Sequence, residues 1–515
     1  MLPLLQSLTI VGMIGATYFV YQTFGPRQLS FSFTKREKRE WDQLVRGRLG
    51  SWLTVNSIFA TITSFATVYV FFIGNTLQFG WWIVFPVLTI WGGGFITNYF
   101  TRILVSRRHI AKRLASGDQS RAVLLTLVLD GTSESIRSAA IVRVVALTNI
   151  LAILWLEFSA FADVSSKLII SESIWWGAIF LYGCALPVLY FTLRFGLRGF
   201  LFADLFHGPI IVIGIVTLLI GTLVFLVGSP SDGGHEDRLV ELFGRILTEM
   251  NAPKAPAPTS PVLSGVLFAI SCLFLNSFLV LITQPHWFRV WMFGEKETTL
   301  QVTSLSVTAV VWSALILIGA LASIVLSAKD VPAACKAANL DSVQVVVCYL
   351  QQVTIAYPLL AVAFWVAGTG ALFSTADAQI YSFFSIQRFD LREGKIAHAE
   401  FKELRPAFYA AIAAALFAGC YALVRFLKVD FDQLVFVLLP SGLNIVPALI
   451  LAVRGIRQEP VLLWISIVPY AVCAFLGLLH TDAAPVFAVA APLMPLTVSA
   501  VALVYRPKEV AHAKA

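Results

Sequence analysis

Charge is scarce in this chain. Of its 515 residues 13% are charged and 58% are hydrophobic, and the mean hydropathy is +0.82. A water-soluble domain of this length could not keep so many long apolar runs from solvent, so the composition excludes one and indicates a polytopic membrane protein. Signatures of catalysis are missing too. No Cys/His cluster has zinc spacing, and no phosphate-binding loop, GxSxG or HExxH pattern occurs. Neither paired carboxylates nor a nucleophile with its base stands in or beside the apolar runs, which argues against an enzyme. The glycine run Gly92-Gly93-Gly94 meets no basic residue until Arg102, so it offers no phosphate cradle and suits close helix packing instead. Cysteine is sparse as well. Four of six (Cys184, Cys272, Cys420, Cys473) fall inside apolar runs as small hydrophobes, while Cys335 and Cys348 flank an outer segment and leave a disulfide open. The formal charge of +8 is concentrated in loops, which reports topology and anionic headgroups rather than nucleic acid.

What is present is apolar length. Windows of about 20 residues predict thirteen spans, near 4–24, 51–74, 79–100, 138–162, 174–193, 200–228, 262–283, 302–327, 350–385, 407–427, 431–453, 460–479 and 484–505. The first is followed, not preceded, by basic residues, the reverse of a cleavable signal peptide, so it reads as a retained helix with its N-terminus outside. Alternating from there places 27 of the 37 Lys and Arg residues in inner loops and the C-terminal tail, against 8 in outer loops. That asymmetry predicts a multi-pass plasma (inner) membrane protein with its C-terminus in the cytoplasm. Residues 229–261 form the longest outer loop and carry a short amphipathic helix, from Leu239 to Met250, expected to cap the outer face. A short inner-surface helix is expected over Ala122 to Leu129.

Two stretches place small and hydroxylated residues at mid-bilayer depth: Ala60-Thr61-Ile62-Thr63-Ser64 and Ala371-Leu372-Phe373-Ser374-Thr375. An unpaired polar group costs several kcal/mol there, roughly, unless something needs its oxygen. In the late stretch Ala371, Ser374 and Thr375 share a helical face at i, i+3 and i+4. Neutral oxygens of this kind suit a hard alkali cation, and they equally suit hydroxyls bonded back to carbonyls one turn earlier. In the early stretch Thr61, Thr63, Ser64 and Thr67 lower helix propensity and permit local unwinding, which frees carbonyls for an ion.

The residues resemble the sodium/solute symporter family, with its LeuT-like fold. The likeness is carried by Asp42 to Gly50 leading into Ser57, Ala60 and Ser64; by Tyr190 to Gly208; by Gln284-Pro285-His286-Trp287-Phe288-Arg289; by Gly370 to Gln379 (GALFSTADAQ); and by Arg388 to Leu391. It covers roughly residues 40 to 400. The resemblance implies an all-α polytopic protein with two inverted five-helix repeats, 51–228 and 262–453. Around them stand an accessory helix (1–24), a basic loop (25–50), and two C-terminal helices with a short basic tail (454–515). It further implies a sodium site made by the carbonyls of Ala60, Thr63 and Ala371 with the hydroxyls of Ser374 and Thr375. Asp204 takes the position associated with ion release toward the cytoplasm. The chain departs from the family in having Phe195-Gly196 where paired glycines are common and His207 where a Gln is common, which puts a second cation site near Asp204 in question.

Solute contacts are sought among Thr61, Thr67, Asn276, Ser277, Ser441 and Asn444, polar residues of the first, sixth and tenth core helices. Each also suits a helix-to-helix hydrogen bond. Glu157, set among apolar residues, needs a partner, a cavity or solvation near the outer end. No Lys or Arg is expected in the central spans. The functional expectation is a monomeric symporter that imports a small polar organic solute with sodium by alternating access. A proton-driven version with Glu157 or Asp204 as carrier, and a transport-inactive sensor on the same fold, remain open.

Overall fold

The computed structural model describes residues 2–25, 48–106, 136–170, 173–228, 235–251, 261–293, 295–327, 331–332, 335, 340–388, 405–429, 431–454, 460–479 and 484–504. Among these residues all regular structure is helical. The inner-surface helix expected over 122–129 and the motif from 389 onward lie outside the described residues.

Helix α1 (Leu2–Phe24) is followed by α2 (Arg48–Ile62), a wide π turn (Phe65–Val70) and α3 (Phe71–Phe79). A 3-10 turn (Gly80–Val84) leads into α4 (Phe85–Ser106), and α5 runs over Ile136–Ile169. Helices α6 (Ile174–Gly196) and α7 (Gly199–Gly228) meet at a sharp break. Gly196 has φ +62°, the left-handed region that glycine enters without steric cost, and that residue turns what would be one long rod into two spans. Helix α8 (His235–Asn251) covers the amphipathic stretch; it buries Leu242, Ile246 and Met250 and leaves Val240, Phe243 and Leu247 exposed. Then come α9 (Pro261–Phe278), short α10 (Gln284–Phe293) and α11 (Glu295–Leu326). Helices α12 (Ser342–Ala356), α13 (Pro358–Arg388), α14 (Pro406–Phe426) and α15 (Phe431–Leu438) follow. A 3-10 turn (Leu439–Ile445) and α16 (Val446–Arg454) complete the span that α15 begins, and α17 (Pro460–Leu479) and α18 (Ala484–Val504) end the order.

One expected span is two elements. Residues 350–385 are divided at Tyr357, where Pro358 cannot donate to the preceding turn, so α12 stops and α13 starts as a separate helix. Asp341 and Gln344 form a reciprocal capping box at the head of α12, with Gln344 N donating to Asp341 Oδ1 at 2.6 Å. The disulfide left open by the sequence forms: Cys335 is bonded to Cys348, with Cα atoms 5.7 Å apart, and ties the incoming segment to α12.

The start of α12 seats against α3 and α15. Asp432 of α15 accepts from Ser342 N at 3.0 Å, Ser342 Oγ at 2.5 Å and Asn75 Nδ2 at 3.1 Å, so one carboxylate joins α3, α12 and α15. The approach is close because position 74 has no side chain: a Cβ there would lie 2.3 Å from the Ser342 Cβ and 2.4 Å from its Cα. Gly74→Ala therefore forces α3 and α12 apart and weakens the Asp432 latch. We expect a cost of about 1–3 kcal/mol, read as a lowered melting temperature of the purified protein; an unchanged value would show that the two helices are not held at this distance.

Candidate functional site

A helix that stops mid-membrane must account for four amides and four carbonyls. The pair Gly50–Ile62 and Phe65–Thr76 is bent by 63°. In a continuous helix the carbonyls of residues 60 to 63 would accept from the amides of Ser64, Phe65, Ala66 and Thr67. All four amides donate elsewhere. Ser64 N bonds the Ile62 carbonyl at 3.0 Å, Phe65 N and Ala66 N bond Glu157 Oε2 at 2.8 and 3.2 Å, and Thr67 N bonds Ser64 Oγ at 3.0 Å. The Thr61 carbonyl is taken by Thr375 Oγ1 at 3.0 Å. The Ala60 and Thr63 carbonyls are left without a backbone donor among the described residues, and Thr63 Oγ1 is buried with no partner there either.

Glu157 makes the break possible. It sits on α5, is fully buried rather than solvated at an outer end, and presents its carboxylate to the amides that open the second half of the span. A carboxyl oxygen at a helix N-terminus satisfies orphan donors. Ser64 and Thr67, hydrogen-bonded to each other, complete the cap.

Helix α13 faces the break. Thr375 reaches the Thr61 carbonyl, and Ser374 donates to Asp204 Oδ1 at 2.6 Å. The other Asp204 oxygen accepts from Ser57 Oγ at 2.7 Å. Asp204 is thus a buried bridge between α2 and α13. A hydroxyl that donates to a carboxylate keeps its lone pairs for a cation, so Ser374 can serve Asp204 and an ion together.

A cation already stands beside Asp204. Arg289, on α10, is 2% exposed and donates from Nε to Ser57 Oγ at 3.0 Å, from Nη2 to the Ser57 carbonyl at 2.9 Å, and to Thr61 Oγ1. This corrects the expectation of a core without Arg or Lys. The sequence places Arg289 in a loop after an apolar run, and only the fold returns that loop to mid-protein depth. A second carboxylate, Asp377, accepts from Thr192 Oγ1 at 2.6 Å and from the hydroxyl of Tyr21 on the accessory helix. His207 is buried against Thr17 Oγ1 at 3.0 Å, a packing position on the same helix.

Beside the break lies a cavity of about 1160 Å³, open solvent at its mouth included. Of the six residues sought as solute contacts, Thr61, Thr67 and Asn276 line it, and Ser277, Ser441 and Asn444 do not. Asn276 spends its amide on Pro86 O and Thr89 Oγ1, at 3.1 and 2.9 Å. Ser441 donates to Asn149 Oδ1 at 3.1 Å, and Asn444 accepts from Ser466 at 2.9 Å, both helix-to-helix bonds. Arg289, Thr375, Gln379, Trp312 and a ring cluster including Phe71, Phe268 and Phe436 line the cavity and were not among the six. Trp312 and the phenylalanines carry no signal in one sequence that separates them from lipid-facing aromatics.

No family model and no curated protein matches the chain. Among solved structures, a Na+-coupled sialic acid symporter in a substrate-bound outward-open state aligns at a TM-score of 0.63 and 16% identity, over 98% of each chain. The nucleobase-cation-symport-1 family transporter Mhp1, in a closed conformation with bromovinylhydantoin bound, aligns at 0.42 and 13%, over 89% of this chain and 93% of that one. The first alignment establishes the LeuT-like fold.

Proposed function

We propose that the protein is a sodium-coupled secondary transporter that imports a small organic solute by alternating access, with its N-terminus outside and C-terminus in the cytoplasm. The observation that carries this reading is the pair of carbonyls, Ala60 and Thr63, stripped of helical donors at a break that Thr375 touches. These two oxygens, the Ala371 carbonyl and the hydroxyls of Ser374 and Thr375 form a neutral oxygen set suited to a monovalent cation. Asp204 and Asp377 are both buried, and Arg289 stands beside Asp204.

The ion is cargo, and it couples to solute because it bridges two elements whose separation changes. Sodium held between α2 and α13 favours the arrangement in which both sides of the break are in register. That arrangement also shapes the neighbouring cavity, so ion and solute raise each other's affinity, by about 1–3 kcal/mol for typical coupling. The test needs no solute. Purified protein titrated with sodium chloride at constant ionic strength, potassium making up the balance, should rise in melting temperature with sodium alone. Equal melting temperatures in the two salts would remove the sodium site.

The buried pair Asp204 and Asp377 favours one further reading, in which a proton takes the place of the ion. Collapsing the pH gradient across vesicles at fixed sodium leaves uptake unchanged if sodium drives it and abolishes uptake if protons do.

A further inference from the structure

The cavity beside the helix break has strongly apolar walls. Phe71, Phe72, Phe268, Trp312 and Phe436 supply five rings, with Phe72 and Trp312 centroids 5.0 Å apart and Phe71 and Phe436 centroids 5.7 Å apart. Most of its polar groups are already engaged. Ser64 and Thr67 hold each other, Thr283 donates to the Val280 carbonyl, Asn276 is bonded to α4, and Thr61 receives Arg289. Trp312 and Gln379 line the wall as well, and one polar atom of each, Trp312 Nε1 and Gln379 Oε1, is buried without a hydrogen-bond partner among the described residues. An indole N–H and an amide oxygen left unpaired in a dry site are costly unless a ligand completes them.

The same site turns anions away. Half-helix N-termini in broken spans commonly receive a solute's carboxylate. Here the amides of Phe65 and Ala66 are spent on Glu157, so the chain carries its own carboxylate in that place. Arg289 also lines the cavity, but its guanidinium is tied to Ser57 and Thr61 and its charge is opposed by Asp204. A solute carboxylate would find that helix terminus already filled and the Arg289 guanidinium already bonded. A polyol fails for another reason, because each hydroxyl beyond the two matched points would be buried against rings and aliphatic side chains.

We propose that the solute is a ring-bodied compound without a carboxylate, neutral or singly cationic, whose ring stacks among the cavity phenylalanines while an acceptor meets Trp312 Nε1 and a donor meets Gln379 Oε1. This rests on the transporter reading and narrows it: the cavity selects against carboxylates and sugars, and the polarity expected of the solute is confined to two atoms.

The experiment is a thermal-shift panel on the purified full chain in sodium buffer. Benzene, pyridine, imidazole and indole rings each carry a carboxamide, an aminomethyl group or a carboxylate, with glucose and sorbitol as polyols. The expected result is stabilisation by carboxamide and aminomethyl members, at least tenfold weaker in half-saturating concentration for their carboxylates, and none from the polyols. Trp312→Phe and Gln379→Met keep the bulk and remove the two polar atoms, and each should weaken the best ligand at least tenfold. The unliganded melting temperatures show that the variants fold. Larger shifts from carboxylates or polyols, shifts unchanged in both variants, or no shift from any ring carboxamide or amine would overturn the assignment. The sodium titration without solute reads the transporter proposal separately: ring ligands that stabilise a sodium-insensitive protein leave the solute class standing and remove the coupling ion.

Discussion

Ser374→Ala/Thr375→Ala abolishes the stabilisation of the purified protein by sodium and the sodium stimulation of uptake in reconstituted vesicles. Both hydroxyls are buried on the face of α13 that meets the break, and their removal deletes two of five oxygens from the proposed set. The remaining carbonyls cannot close around a cation. We expect half-saturating sodium to rise more than tenfold, a loss of at least about 1.4 kcal/mol. Each substitution also breaks a hydrogen bond, Ser374 to Asp204 and Thr375 to the Thr61 carbonyl, so some loss of stability accompanies it. Thr375→Ser separates the two effects. It keeps the hydroxyl and loses only a methyl group, so it should retain sodium dependence at near wild-type concentration. A double alanine variant that folds and responds to sodium as the parent does would leave the oxygen set without a role.

The bundle was legible because hydropathy reports long apolar helices directly, although residues 350–385 are two elements rather than one span. The break was legible in part, since Thr61, Thr63 and Ser64 are poor helix formers at a depth where polar atoms need a reason. Which groups satisfy the freed amides was not. Glu157 lies 92 residues from Phe65 in sequence, and its apolar neighbours on α5 suggest either solvation or strain until packing supplies the donors. Arg289 was hidden by the same limit. Its flanking residues read as a loop, and burial of a loop follows from tertiary folding rather than from local pattern. Ser441 and Asn444 show the opposite case, polar residues of a 3-10 turn whose bonds go to Asn149 and Ser466 instead of to the cavity. The cavity wall was least legible, because an aromatic facing a ligand and one facing lipid look alike in a single sequence.

Arg289→Met should cost more stability than any other single change at the site. It removes the positive charge beside Asp204 and the donors to the Ser57 carbonyl, Ser57 Oγ and Thr61 Oγ1. Breaking one side of a buried charge pair typically costs about 3–5 kcal/mol, because the remaining charge stays desolvated without a partner. Asp204→Asn on the same background removes that stranded charge, and its amide can still hold Ser57 and Ser374. The double variant should therefore recover most of the loss, with a coupling of more than about 1 kcal/mol between the two positions. Recovery of stability is not recovery of function. If Asp204 contributes its charge to holding the cation, the rescued double variant melts near the wild-type temperature yet shows weakened stabilisation by sodium. Additive losses in the double variant would show that Arg289 and Asp204 are not a pair. Full sodium response in the rescued protein would confine the ion to the neutral oxygens of Ala60, Thr63, Ala371, Ser374 and Thr375, with Asp204 left to orient Ser374.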